Sequence, residues 1–380
     1  MVVDRCRPIA QAPASPLRVL HVAETIKGGV ATYLASLDAG AGRMGCRFSY
    51  LIPASQQAEF EAEHLHLHSA RRSLWGILGL ARRMVAVRRE IRADVVFAHS
   101  TFAGFALCLA TPFLGTGVKT IYCPHGWAVF REMKERSRRV VAMIERAMSQ
   151  LPSAVVNISS YEHRQVSRMG YSPRCILIPN AVQDTGRFRL EPPSGRRSIR
   201  VLYVGRFDRQ KGVDMLAKAI RELGPCPGIE FDLVGESVVE QAGLADFPDW
   251  SNVRRHGWLA REAITALYAE ADLVVMPSRW EGFGLCAVEA FRAGTPVLAR
   301  RVGALGEIVS HGHDGYLYDG EAEALCSALK RLRLDELVRM RGNARATFET
   351  RFHIDRLYLA YRELFETLVP GRQHGRLLRD

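Results

Sequence analysis

Two glutamates, Glu281 and Glu289, lie eight residues apart on either side of the turn Gly282-Phe283-Gly284. The first is in a loop, and the second is about one turn inside an apolar-periodic helix that begins at Leu285. The first amide groups of a helix lack intrahelical acceptors and carry partial positive charge, so this N-terminus can bind a phosphate. A carboxylate repels phosphate but accepts hydrogen bonds from sugar hydroxyls. The pattern therefore predicts a site for a sugar nucleotide.

Two cations, Arg206 and Lys211, flank a loop that follows a β-branched run, and Gly212 opens the next helix. A nucleoside diphosphate leaving group gains negative charge as its glycosidic bond breaks. The chain has no Asp-x-Asp sequence that would indicate a metal site. We therefore expect Arg206 and Lys211 to stabilise that charge directly. A solvated basic loop is the alternative.

Two further segments follow predicted strands. Gly28-Gly29 opens a helix after the first strand, where glycine allows close backbone approach to a phosphate or sugar. His125, in the sequence CPHGWAVF, lies at the strand end where doubly wound sheets bind ligands. We expect His125 to act in catalysis, although a structural histidine is the alternative.

These segments together resemble the retaining glycosyltransferases of family 4, which have the GT-B fold. Glu281 and Glu289, with the flanking PS and AGTPV, match the family's Glu-x7-Glu motif. Arg206 and Lys211 match a G-R-x4-K-G element whose cations bind the diphosphate. The resemblance implies transfer of a hexose, with retention, from a nucleotide-diphosphate sugar to a glycan or lipid-linked acceptor, with no metal or other cofactor. Bacterial exopolysaccharide, O-antigen or glycolipid synthesis is the expected setting.

The resemblance also assigns places to individual residues. His125 is implied near the reacting sugar and acceptor, Gly257-Trp258-Leu259 near the nucleobase, and Asn180 at the domain junction, where Ala181 replaces the family's usual glycine. The predicted catalytic residues are His125, Glu281, Arg206 and Lys211. The predicted donor-binding residues are Gly28, Gly29, Arg206, Lys211, Gly257, Trp258, Leu259, Glu281, Gly282, Phe283, Gly284, Leu285 and Glu289.

The chain of 380 residues alternates β-branched runs with helical patterns, which indicates α/β architecture with parallel sheets. Two series of six strands predict two Rossmann-like domains, and the resemblance implies that these domains face each other across a cleft. The predicted strands are Leu17–Ala23, Arg47–Ile52, Asp94–His99, Lys119–Cys123, Ala154–Ile158 and Cys175–Ile178, then Ile199–Val204, Ile229–Val234, Val253–His256, Leu273–Met276, Pro296–Ala299 and Gly315–Tyr318. The predicted divisions are a disordered leader (1–16), an acceptor domain (17–182), a linker (183–198), a sugar-nucleotide domain (199–352) and a C-terminal helix (353–370). The resemblance implies that this helix crosses back to the first domain.

Charge and cysteine content restrict partners and location. The net charge is +12, and residues 1–190 hold 25 basic and 13 acidic groups, so the whole excess lies in the first half. Basic helices at 71–92 and 131–148 could bind an anionic membrane surface or simply present solvated arginines. Aromatic residues do not interleave with these charges, so no nucleic-acid partner is predicted. The eight scattered cysteines form no C-x-x-C pair, which favours a cytoplasmic location. If the basic helices bind lipid, the protein would lie on the inner face of the cytoplasmic membrane.

Other interpretations remain open at this point. The uncharged stretch 100–118 is long enough to span a bilayer, but its glycines and proline favour a buried helix and loop. A sugar-nucleotide epimerase-like GT-B enzyme and a non-catalytic nucleotide-sugar-binding protein are the functional alternatives. An NAD-dependent oxidoreductase is disfavoured because no G-x-G-x-x-G follows the first strand.

Overall fold

The computed structural model describes residues 15–26, 28–69, 73–191, 198–226, 228–237 and 246–370. The predicted leader (apart from its last two residues), Arg71 and Arg72, residues 192–197 of the predicted linker and the tail from 371 lie outside the described residues. The described part of the chain forms two parallel sheets wrapped by helices, as the alternating pattern predicts.

The first sheet has seven strands in the order β3-β2-β1-β4-β5-β6-β7. They are β1 (Leu17–Ala23), β2 (Cys46–Pro53), β3 (Leu65–His68), β4 (Val95–His99), β5 (Lys119–Cys123), β6 (Ala154–Asn157) and β7 (Cys175–Leu177). The helices of this part are α1 (Gly29–Ala39), α2 (Leu74–Ile91), α3 (Thr101–Ala110), α4 (Glu135–Ser149) and α5 (Ser160–Arg168).

The second sheet has six parallel strands in the order β10-β9-β8-β11-β12-β13. They are β8 (Ile199–Val204), β9 (Ile229–Val234), β10 (Val253–Gly257), β11 (Leu273–Met276), β12 (Val297–Arg300) and β13 (Gly315–Tyr318). The helices that follow β8 in the chain are α6 (Val213–Leu223), α7 (Arg261–Glu270), α8 (Leu285–Arg292), α9 (Leu305–Ile308), α10 (Ala322–Lys330), α11 (Leu334–Thr347) and α12 (Ile354–Leu368).

The prediction of six strands in the first half is wrong by one, because β3 adds an edge strand that pairs with β2. Its sequence, LHLH, is only four residues long and three of these are half-buried, so it lacks the apolar run that identifies a central parallel strand. The stretch 100–118 is helix and loop, as predicted, with Ala103 and Leu107 fully buried. Among the described residues, we find no helix with the length and apolarity needed to span a bilayer.

Contacts group the described residues into two compact units. The first unit comprises residues up to Cys123, Leu151–Ala154 and the residues from Tyr358 onward, and the second comprises Pro124–Gln150 and Val155–Leu357. In the first unit, Tyr358 of α12 donates a hydrogen bond to the carbonyl of Ser36 at 2.7 Å. The predicted domain limits are not tested by this grouping and stay predictions.

The core of the second unit fixes the strands that carry the loops discussed below. Val201, Leu233 and Val275 are at most 1% exposed and pack with Leu216 and Ile220 of α6. Each such side chain contributes about 1.5–3 kcal/mol relative to an exposed position. This continuous apolar burial is typical of parallel strands covered on both faces.

Candidate functional site

The order of the second sheet reverses between β8 and β11, which are neighbours in the sheet although β9 and β10 intervene in the chain. Parallel α/β sheets bind ligands at the carboxyl ends of strands where the order reverses. β8 ends at Val204 and leads into the loop with Arg206 and Lys211, which we call the cation loop (205–212). β11 ends at Met276 and leads into the loop with Glu281, the glutamate loop (277–284). Both predicted loops therefore leave the same edge at the reversal.

Lys211 and Glu281 are in direct contact. The Lys211 Nζ is 2.5 Å from the Glu281 Oε1, and the Ser278 hydroxyl donates to the same oxygen at 2.9 Å. The two side chains are 21% and 6% exposed. Burial lowers the pKa of Lys211, but the charge and hydrogen bond of Glu281 outweigh it, so this pKa is raised and the amine is charged at neutral pH. Its remaining N–H donors can bind a second anion.

Arg206 is more accessible, with 44% of its side chain exposed. It pairs with Asp208 at 2.9 Å and donates to the Gln210 side-chain oxygen at 3.2 Å. The other Asp208 oxygen accepts the backbone N–H of Lys211 at 2.9 Å. Asp208 therefore shapes the cation loop so that Arg206 and Lys211 are presented from one short segment.

The cation loop and the glutamate loop are also bound to each other. Arg279 forms a bidentate pair with Asp214 of α6, with both distances 2.7 Å, and donates to the Arg209 carbonyl at 2.9 Å. The Arg279 amide donates to the Gln210 carbonyl at 2.8 Å. Because a planar guanidinium fork is rigid, these contacts hold the loops in fixed register.

Helix α8 begins where the sequence predicts, after Gly284. Gly284 has φ 102°, which favours glycine, and a Cβ there would lie 2.7 Å from the Leu305 side chain, which would have to shift. Glu289, about one turn inside α8, accepts a hydrogen bond from the buried Tyr268 hydroxyl at 3.0 Å. Thus each predicted glutamate has its own partner: Lys211 for Glu281 and Tyr268 for Glu289.

Residues at the ends of β9 and β10 reach the same edge. The amide of Gly235 donates to the Gly257 carbonyl at 2.8 Å, and the amide of Gly205 donates to the Val234 carbonyl at 3.0 Å. Next to Gly257, Trp258 is 55% exposed and Leu259 is half-buried. The predicted nucleobase segment therefore lies along the sheet edge that carries the cation loop, with an accessible aromatic ring.

His125 lies in a tight turn, with φ 54° at His125 and φ 121° at Gly126. The turn is anchored by two buried carboxyl groups: Glu162 accepts the Trp127 amide at 3.1 Å, and Glu145 accepts the two following amides at 2.9 and 3.2 Å. Although solvent reaches part of His125, the packed protein around the ring lowers its pKa to about 3. The imidazole is therefore neutral at physiological pH.

The His125 turn adjoins the glutamate loop within the second unit. A Cβ built on Gly282 would lie 3.0 Å from the Gly126 Cα and 3.2 Å from the Glu162 Oε1. Only glycine therefore allows this approach without displacement. The structure thus brings His125's turn beside Glu281, although more than 150 residues separate them in sequence.

The remaining predicted residues are placed separately. Gly28, with φ 69°, precedes α1, which begins at Gly29 in the first unit. Asn180 is buried, and its backbone N–H donates to the Ile158 carbonyl at 3.2 Å. Phe283 is also buried, and its ring centroid lies 5.9 Å from that of Phe352. Phe283 is thus placed to support the glutamate loop through packing, whereas a donor contact of Gly28 and Gly29 stays a prediction.

Sequence reasoning missed four residues of this site: Asp208, Tyr268, Glu145 and Glu162. None lies at a spacing that marks a motif, and each contacts the predicted residues only after folding. Ser278 belongs to the PS that flanks the Glu-x7-Glu motif, but its hydrogen bond to Glu281 was not predicted. Within the described ranges, no group of three or more His, Cys, Asp or Glu side chains could hold a metal ion. Whether catalysis needs a divalent ion is a separate question, and metal independence stays a prediction.

Comparisons with known proteins agree with the two-part architecture. Residues 27–185 match the model of Glycosyltransferase Family 4, and residues 198–335 match that of Glycosyl transferases group 1. An uncharacterized 41.2 kDa protein in the cps region of Klebsiella pneumoniae is 32% identical over 80% of this chain and 87% of its own length. A D-inositol 3-phosphate glycosyltransferase of Arthrobacter is 29% identical over 51% of this chain and 48% of its own length.

Solved structures share the fold. Sucrose-phosphate synthase from Thermosynechococcus elongatus superposes with a TM-score of 0.78 at 21% identity, over 93% of this chain and 99% of that one. Anabaena Alr3699/HepE, solved in complex with UDP-glucose, superposes with a TM-score of 0.75 at 20% identity, over 92% of this chain and 100% of that one. The two family matches show that the chain belongs to the group 1, family 4 glycosyltransferases, and the solved structures show that it has the GT-B fold.

Proposed function

We propose that this protein transfers a hexose from a nucleotide-diphosphate sugar to a glycan or lipid-linked acceptor, with retention of anomeric configuration. The observation that carries the proposal is the contact of Lys211 with Glu281 at the β8/β11 reversal, beside Arg206 and the start of α8. It places cations, helix amides and carboxylates at one edge, which are the groups that a sugar diphosphate requires.

Each group has a distinct role in this proposal. Arg206 and Lys211 bind the diphosphate, with the amides at Gly284-Leu285 adding donors, and they stabilise the charge that the leaving group gains. Glu281 and Glu289 accept hydrogen bonds from sugar hydroxyls. The bond between the anomeric carbon and the phosphate oxygen breaks, and the acceptor oxygen bonds to that carbon on the same face. The acceptor proton passes to the departing phosphate, so no protein base is required and His125 serves to orient the reactants.

Uridine diphosphate sugars are the first donors to test, because HepE, which shares this fold, was solved in complex with UDP-glucose. The exposed Trp258 offers a face on which a nucleobase can stack. The setting we propose is bacterial surface polysaccharide or glycolipid synthesis, supported by the relative in the Klebsiella cps region.

We further propose that α4 binds an anionic membrane surface, with the protein peripheral on the inner face of the cytoplasmic membrane. Val140, Met143 and Ile144 are 52%, 65% and 36% exposed and share one helix face, which Arg136 and Arg139 flank. Apolar side chains flanked by arginine suit the headgroup region of acidic lipids. In α2, by contrast, Leu80, Met84 and Val87 are buried, so much of its apolar stripe belongs to the core.

Arg206→Ala is the decisive variant, because Arg206 is accessible and its loss leaves no buried charge unpaired. We expect transfer to fall about 100- to 1000-fold, the usual effect of removing one charge-stabilising group, with the melting temperature unchanged. Glu281→Ala would also leave the buried Lys211 amine without its ion-pair partner, so a loss of activity in that variant could come from lost stability. Arg333→Ala, an exposed arginine at the start of α11, is the matched control. Wild-type transfer by Arg206→Ala, with a donor that the enzyme uses, would refute the proposal.

A donor panel separates the functional alternatives. Product analysis with UDP-glucose, UDP-galactose and their GDP and ADP counterparts should show transfer or slow donor hydrolysis with one of them. Interconversion of sugars without UDP release would indicate an epimerase. Donor binding without either reaction would indicate a non-catalytic binding protein.

A further inference from the structure

Glu162 is a buried carboxyl group at the junction of the His125 turn and the glutamate loop. It lies in the first turn of α5 and is 1% exposed. Its Oε1 accepts the Trp127 amide at 3.1 Å and would be 3.2 Å from a Cβ on Gly282. No sequence motif marked this residue, and none of the roles assigned above uses it beyond anchoring the turn.

The second oxygen of Glu162 is also buried and has no hydrogen-bond partner among the described residues. An unsatisfied oxygen is costly in a buried anion but much less so in a neutral acid, which has one charge fewer to solvate. Burial raises the pKa of Glu162 to about 8, the nearby Glu145 adds to the rise, and the Trp127 amide and Arg131 oppose it. The group is therefore largely protonated at neutral pH.

Among the described residues, two charged groups affect the pKa of Glu162. Glu145 approaches from α4, and Arg131 approaches from the segment after the turn. The glutamate loop presents the backbone of Gly282, which carries no charge. Ionisation of Glu162 would therefore place a second negative charge beside Glu145 in a buried position.

We propose that Glu162 is a positioning residue: its carboxyl group holds the His125–Trp127 turn against Gly282 and so sets where His125 meets the reacting sugar. The proposal rests on the proposed function, because it is expressed in the transfer reaction. Glu162 does not act on the diphosphate, which Arg206 and Lys211 bind from another loop. Loss of Glu162 therefore affects turnover and leaves donor binding intact.

The test compares Glu162→Ala with Glu162→Gln, whose amide keeps an acceptor for the Trp127 N–H without any charge. Glu135→Ala, an exposed glutamate on α4, is the matched control. We expect Glu162→Ala to lower kcat about 10- to 100-fold, as small misplacements of reacting groups do, with the donor KM unchanged. Glu162→Gln should retain wild-type kcat at pH 7. Wild-type kcat in a folded Glu162→Ala variant would overturn the proposal, and so would an equal loss in Glu162→Gln.

Amide hydrogen exchange of segment 124–130 provides a readout that needs no donor. At pH 5, exchange should be faster in Glu162→Ala than in the wild type and close to wild type in Glu162→Gln. As pH rises from about 5 to 8, the wild type should exchange progressively faster than Glu162→Gln, because only the wild-type group can ionise when the turn opens. Identical exchange of the wild type and Glu162→Gln from pH 5 to 9 would overturn the proposal even if Glu162→Ala does not fold. Inactivity of the wild type with every donor would count against the proposed function and not against this exchange result.

Discussion

The ion pair of Lys211 and Glu281 leads to a quantitative prediction about both stability and activity. The pair is largely buried, and its atoms are 2.5 Å apart. Removing one partner of a buried pair leaves the other charge uncompensated, which costs about 3–5 kcal/mol. We therefore expect Lys211→Met and Glu281→Gln each to reduce the free energy of unfolding by roughly 3 kcal/mol. In Lys211→Met the Ser278 hydroxyl still donates a hydrogen bond to the Glu281 carboxylate, so we expect the smaller loss of stability in that variant.

The double variant separates the structural role of the pair from its chemical role. Replacing both charges by uncharged groups of similar shape is often neutral, so the double variant should recover most of the stability. Thermal unfolding is the assay: at about 2–4 °C per kcal/mol for a unit of 150–250 residues, each single variant should melt on the order of 10 °C lower. The exposed pair of Lys218 and Glu323 is the control, and its replacement should not change the melting temperature.

Two results would contradict this reasoning. Additive losses in the double variant would show that Lys211 and Glu281 do not stabilise each other. Restored transfer in the double variant would show that neither charge takes part in the reaction. We expect a stable double variant that binds donor weakly and transfers no measurable sugar.

Further predictions concern the turn, the membrane face and the buried groups. Gly282→Ala should lower kcat with little change in donor KM, because its Cβ meets Gly126; equal kcat in steady-state assays would exclude this steric contact. For Glu162, the folded pKa of about 8 exceeds the unfolded value, so folding stability should fall by a few kcal/mol as pH rises from about 4.5 to 8. Urea unfolding should show this fall in the wild type and a flatter profile in Glu162→Gln. In vesicle sedimentation, the protein should bind phosphatidylglycerol vesicles more than phosphatidylcholine vesicles. Met143→Asp should weaken this binding, whereas the control Leu359→Asp, on α12, should leave it unchanged. Equal sedimentation of the wild type and both variants would exclude α4 as the membrane face.

The sequence was sufficient to predict the elements that carry chemistry. The apolar runs predict β8 and β11, and the glycines predict where α6 and α8 begin, because positive φ at Gly212 and Gly284 excludes most other residues. The spacing of Glu281 and Glu289 predicts one carboxylate in the loop and one in the helix, which the structure confirms.

The contacts between distant segments could not be predicted. Tyr268 and Glu162 lie on ordinary amphipathic helices, and only the folded chain brings them to Glu289 and Gly282. The edge strand β3 was missed because two of its four residues are histidines, which interrupt the apolar pattern. The pairing of Lys211 with Glu281 was equally hidden, because sequence spacing carries no information on which cation faces which carboxylate.

A crystal structure with bound UDP-sugar, or with the nucleotide of the donor that the panel identifies, tests the central claim most directly. Our account predicts the pyrophosphate within hydrogen-bond distance of the Arg206 guanidinium, the Lys211 amine and the amides at Gly284-Leu285, with sugar hydroxyls on Glu281 and Glu289. A nucleotide bound away from the β8/β11 reversal, or a diphosphate that leaves both cations in their present pairs, would contradict it.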